Sequence, residues 1–146
     1  MRTTRFVLKR HLKGFEEYGD LYEAIKSGRK TVEYRDATKY WKTRLLTKEA
    51  IGLLESDQRG INLVFREGMI KHNKATFVVG YTKHPKLVAD ITKIVYVHDM
   101  KQLETHIVNV KENPCTFTDL ECTKTYDCEN CIVFLYGYYK NKGDIK

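Results

Sequence analysis

Apolar and polar positions fall into short alternating runs, one amphipathic stretch and several dense apolar blocks. Thr4 to Leu8, with its β-branched and aromatic residues, predicts a first strand. From Phe15 to Ser27, Phe15, Tyr18, Tyr22 and Ile25 recur at helical spacing with Leu21 beside them. Acids early in that stretch, Lys26 in its last turn and Gly28 just beyond suit a helix dipole and a glycine C-cap. Lys30 to Arg35 alternates and predicts a second strand, with Thr31, Glu33 and Arg35 on one face and Lys30, Val32 and Tyr34 on the other. Ala37 to Leu46 and Thr47 to Leu54 read as helices, with Trp41, Leu45, Leu46, Ile51, Leu53 and Leu54 as core candidates.

Three apolar runs follow: Ile61 to Phe65, Thr76 to Gly80 and Leu87 to Val97, the last two close enough to form a hairpin. A short helix is expected from Met100 to His106, a looser segment from Asn109 to Asn130, and a closing strand from Cys131 to Tyr139. Residues 1–146 read as a single domain with no repeat or linker. Five to six strands with few helices predict an α+β fold, a small partly closed β-barrel flanked by helices.

Charge changes this picture because of where it lies. The chain carries 26 Lys and Arg against 19 Asp and Glu, a formal charge of +7. Up to Lys48 there are 13 basic and 6 acidic residues; beyond it the two signs cancel. A polyanion is therefore a plausible partner, since concentrated positive potential speeds encounter and phosphate neutralisation releases counterions. No apolar run reaches the roughly 18 residues of a membrane span, and no apolar segment suited to a signal peptide follows the first residues. The amphipathic stretch from Phe15 has an acidic polar face, so no membrane partner is expected, and the chain reads as intracellular, cytoplasmic or nuclear.

The richest segment runs from Ala24 to Arg35, where a predicted helix ends at a glycine and delivers Lys30, Glu33 and Arg35 to the start of a strand. Gly28 allows the reversal, through a positive φ or through close packing. Arg29, Lys30 and Arg35 crowd positive charge around Glu33, which can orient Arg35 as a fork for phosphate. Tyr34, Tyr40 and Trp41 are nearby stacking surfaces for unpaired bases, although Trp41 suits the core better than a cleft wall.

The pattern Gly28-x-Lys30-x-x-Glu33-x-Arg35, with the preceding Ile-x-Ser-Gly and the following Asp36 and Tyr40-Trp41-Lys42-x-Arg44-Leu45, resembles the signature of the ASCH domain, a PUA-like β-barrel family associated with RNA. The resemblance implies a PUA-like barrel that holds single-stranded or modified RNA in a basic cleft. Gly28, Arg29, Lys30, Glu33, Arg35, Tyr40, Trp41 and Arg44 would be the binding residues, with Lys42 on the rim. Some relatives are similar to amidohydrolases of modified nucleosides, and Lys30 matches their lysine, but Glu33 stands where their threonine nucleophile would be. Others resemble metal-independent ribonucleases, in which Lys30 and Glu33 would be the catalytic candidates. A protein-interaction adaptor whose basic third meets an acidic partner is a further alternative.

All four cysteines, Cys115, Cys122, Cys128 and Cys131, lie in one stretch, Cys-x6-Cys-x5-Cys-x2-Cys. A structural zinc site, disulfides and free thiols all remain open readings of that spacing. No other cofactor is expected, because the sequence contains no Walker, dinucleotide-binding or metalloprotease motif.

Overall fold

A computed structural model describes residues 3–80 and 86–113. Strand β1 is Thr4–Leu8, as its composition predicts, with Thr4, Phe6 and Leu8 inward and Arg5 and Val7 outward. The predicted helix from Phe15 to Ser27 is instead broken in two. A 3-10 turn, Glu16–Tyr18, ends at Gly19 with φ of 66°, and α1 spans Leu21–Lys26. The break belongs to Asp20, whose carboxylate accepts from the backbone N–H groups of Tyr22 and Glu23 and so starts a new helix. Gly28 then has φ of 84° with nothing within 4 Å of where a Cβ would sit, so it is the backbone conformation and not close packing that favours glycine there.

Strand β2 is Val32–Asp36, shorter at its start than the sequence suggests. Helices α2 (Lys39–Leu45) and α3 (Lys48–Ser56) are capped by the hydroxyls of Thr38 and Thr47. Leu53 on α3 is exposed and not a core residue, because the helix is short and buries only Ala50 fully, with Ile51 and Leu54 half-buried. Strands β3 (Leu63–Phe65), β4 (Lys74–Val79) and β5 (Lys86–Val97) follow, and β4 and β5 pair antiparallel as the predicted hairpin.

The largest departure from expectation is the segment expected to be a helix from Met100 to His106. It begins β6, Gln102–Asn113, which also carries strand through the first part of the segment expected to be loose. Pairing on both sides explains the outcome: β6 has β5 along one edge and β2 along the other, with Leu103, Thr105 and Ile107 buried at strict two-residue spacing. Backbone partners on two flanks override a local helical preference.

The strand order is β1-β4-β5-β6-β2, with β3 attached to β5, and the β1–β4 pair is parallel. The result is a small mixed α+β domain whose sheet curls into a half-barrel carrying a few helices. Its end strands approach one another: Arg35 on β2 donates from Nη2 to the carbonyl of Val7 on β1 at 3.2 Å. The core lies inside the curl, around Phe6, Tyr22, Ile25, Leu45, Phe77, Leu87, Ile94 and Leu103. The strand expected from Cys131 to Tyr139 lies outside the described residues.

Helix α1 is clamped to β6 by Glu112, which accepts from the Tyr22 hydroxyl at 2.9 Å and pairs with Lys26 at 3.1 Å. Partial burial pushes the Glu112 carboxyl up, but the hydrogen bonds from Tyr22 and Lys26 outweigh it and leave the group below the usual carboxylate range. Burial and the same carboxylate push the Tyr22 phenol well above its ordinary value. Because the folded state holds Glu112 depressed, its contribution is complete above the unfolded carboxylate range and disappears as pH falls through the lower folded value. Glu112→Gln should therefore lower stability at pH 7 by about 1 kcal/mol and flatten the acid limb of stability against pH. Urea unfolding at several pH values reads both effects, and an unchanged acid limb would contradict the clamp.

Candidate functional site: a caged ion triad beside a small pocket

The turn after α1 is held by the Lys30 N–H donating to the carbonyl of Ala24 at 3.0 Å, which sets Lys30 just ahead of β2. Lys30 therefore escapes the strand's alternation. The expectation that it faces away from Glu33 is corrected: its ammonium donates to Glu33 Oε1 at 2.9 Å and to the Val32 carbonyl at 2.5 Å. The other Glu33 oxygen receives Arg35 Nη1, so one carboxylate bridges two cations. Glu33 and Arg35 share a face, as their spacing predicts. Arg35 Nη1 also reaches the Tyr34 carbonyl at 2.9 Å.

This triad is largely inside the protein, with side-chain exposures of 4% for Lys30, 9% for Glu33 and 21% for Arg35. Three rings surround the Lys30 ammonium, those of Phe15, Tyr18 and Tyr34, with centroids 5.9, 6.0 and 5.6 Å away. Cation–π attraction offsets part of the cost of removing the ammonium from water. The ring-bearing turn is tied down by Arg29, which donates to the Tyr18 carbonyl at 3.1 Å. Burial, together with the charges of Glu104 and Glu33 and the neighbouring Tyr18, raises the Tyr34 phenol above its ordinary value, so at neutral pH it is a hydroxyl donor. Thr105, opposite Glu33 in the β2–β6 register, is fully buried with no partner for its hydroxyl among the described residues.

Arg35 continues outward into a ladder of rings. Its guanidinium lies 5.1 Å from the ring centroids of both Phe6 and Trp41, which stack at 5.3 Å and 9°. Trp41 is thus half-buried against the core and also backs the site. Tyr40 meets it edge-on at 5.3 Å, and Arg44 lies 4.3 Å over the Tyr40 ring. Tyr40 and Arg44 are exposed, while Lys42 pairs with Glu55. The ladder exists because α2 offers Trp41 inward and the adjacent Tyr40, with Arg44 one turn later, outward.

A pocket of about 260 Å³ is lined by Lys30, Glu33, Tyr34, Arg35, Asp36 and Gln102, with Phe15 and neighbouring leucines as an apolar wall. Residues from both faces of β2 line it, and Gln102 of β6, opposite Asp36 in the register, joins them at one end. At its end Gln102 Nε2 donates to Asp36 Oδ1 at 3.5 Å, the limit of a hydrogen bond.

Of the residues expected at the site, Lys30, Glu33 and Arg35 are brought together, and Tyr40, Trp41 and Arg44 join them through the ladder; Arg29 only braces the Tyr18 turn and lies outside the pocket lining, and Gly28 supplies the turn before β2 without touching the site. Sequence reasoning missed Phe15 and Tyr18 as cage residues, assigning both to a core-facing helix, and it missed Asp36 and Gln102 at the pocket. Only Asp36 carried a sequence signal, as the charged residue directly after the motif. With each Glu33 oxygen facing a cation, the carboxylate holds the framework of the site together. Cys115, Cys122, Cys128 and Cys131 lie outside the described residues. Among the described residues, no group of three or more His, Cys, Asp or Glu side chains could hold a metal ion, and no helix is long and apolar enough to cross a membrane. No protein family matches the chain, and no curated protein or solved structure matches it either.

Proposed function

We propose that this chain binds single-stranded RNA as an ASCH-type, PUA-like domain, taking a base into the pocket along β2 and carrying the adjoining backbone over α2. The observation that supports this reading is the ladder Arg35, Trp41, Tyr40, Arg44, which leads from the pocket to an exposed ring and an exposed guanidinium. An unpaired base can stack on Tyr40 while Arg44 meets the adjoining phosphate. Lys30 and Arg35 spend hydrogen bonds on protein carbonyls and on Glu33, so their part is to shape the pocket, and phosphate contact falls to exposed Arg44.

Fluorescence anisotropy with a labelled single-stranded RNA tests this. The logarithm of the affinity should fall linearly with log salt, with a slope of about −0.7 per phosphate contacted. Arg44→Glu should weaken binding and reduce that slope, and Tyr40→Ala should cost about 1–3 kcal/mol of stacking. Binding that is absent, insensitive to salt or indifferent to both substitutions would overturn the proposal.

A further inference from the structure

The pocket differs from the basic cleft that the chain's charge leads one to expect. Its lining holds two cations, Lys30 and Arg35, and two carboxylates, Glu33 and Asp36, so its formal charge is zero. A phosphate would gain little net attraction there, whereas a neutral heterocycle would keep the ring contacts. At about 260 Å³ the pocket also lies below the roughly 300–1,000 Å³ of sites that enclose drug-sized ligands, which suits a single ring system. One wall is aromatic, with the Phe15 and Tyr34 rings 6.1 Å apart.

The polar groups that can read such a ring follow from those already engaged. Glu33 faces Lys30 and Arg35, and those cations also donate to the carbonyls of Val32, Tyr34 and Val7. Asp36 and Gln102, directly opposite each other in the β2–β6 register, are joined by a contact long enough to be displaced easily. A carboxylate only accepts, and its two oxygens can take two parallel N–H donors. Among the four RNA bases only guanine offers two adjacent donors, its N1–H and its exocyclic amino group, with a carbonyl oxygen beside them. The Gln102 amide, a donor and acceptor next to Asp36, can serve that carbonyl. Uracil would turn acceptors toward Asp36 on either side of its one N–H, and cytosine and adenine would each present an acceptor beside a single amino donor.

We propose that the pocket along β2 selects a guanine base, with Asp36 as the specificity-determining residue that receives its two adjacent N–H groups and Gln102 as the donor to its carbonyl. The assignment rests on the RNA-binding reading for its biological ligand, but it can be tested with the free nucleoside.

The full chain is titrated with single-stranded RNAs that differ only at one central position, G, A, C, U or inosine, and separately with guanosine. G should bind best, by about tenfold or more over U, in line with roughly 1–3 kcal/mol for a bidentate pair. Inosine, which lacks the amino group, should fall between them. Asp36→Asn should bring the G-to-U ratio close to one, and because Asp36 is exposed the variant should keep the wild-type melting temperature. RNA binding with no preference for G, or a preference that survives in Asp36→Asn, overturns the guanine assignment and leaves the RNA reading standing. Guanosine binding abolished by Asp36→Asn in a chain that binds no RNA supports the pocket and removes the RNA reading. Failure to bind either ligand overturns both.

Discussion

Replacing Glu33 with alanine is expected to destabilise the protein by about 3–5 kcal/mol, because it strands two cations that the fold has already taken out of water. Lys30 is 4% exposed and Arg35 21%, and each faces its own oxygen of the one carboxylate. Cation–π contact and carbonyl acceptors soften the loss without replacing the charge. A second variant separates loss of pairing from simple intolerance of change. Changing Lys30 to Met, Glu33 to Leu and Arg35 to Met together removes every charge while keeping bulk, and should recover much of the loss. Urea unfolding of both variants is the measurement. A cost below about 1 kcal/mol for Glu33→Ala would mean that the carboxylate does not organise the site.

Phe6→Ala is expected to cost a comparable amount, about 3–5 kcal/mol, for a different reason. Phe6 is fully buried and stacks on two rings, Trp41 at 5.3 Å and Phe77 at 5.2 Å, with the Arg35 guanidinium 5.1 Å from its centroid. Truncation leaves a cavity at the point where β1, α2 and β2 meet, and the surrounding strands can close it only in part. Trp41 is the only tryptophan in the chain, so its emission reports on this place directly. In Phe6→Ala it should shift to the red as the indole loses its cover, while Phe6→Leu should fall between alanine and wild type in both stability and emission. Unshifted emission in Phe6→Ala would show that the stack is not what holds Trp41.

These two residues also mark how far the sequence could be read. Thr4–Leu8 is a strand with the inward set its alternation demands, so Phe6 was legible as core. What it stacks on was not, because Trp41 and Phe77 lie 35 and 71 positions away and periodicity carries no long-range pairing. Glu33 and Arg35 were legible as neighbours because two residues is the period of a strand. Lys30 was assigned to the opposite face because that period was extended into a turn where it does not apply; the backbone bond to Ala24 decides its direction. Phe15 and Tyr18 match helical spacing with Tyr22 and Ile25, yet the break at Gly19 and Asp20 sends the first two to Lys30 and leaves the others in the core.

By itself the sequence determined the mixed α+β class, most of the strands, the glycine turn after α1 and the shared face of Glu33 and Arg35, since each depends on composition, period or spacing over a few residues. Only the tertiary structure decided that Gln102 to Asn113 is a strand, because its two flanking partners satisfy backbone groups that no local pattern could assign. It alone decided that the triad lies under three rings and that its pocket is electrically balanced. Burial and cross-strand placement set those properties, and both arise between residues far apart in the chain.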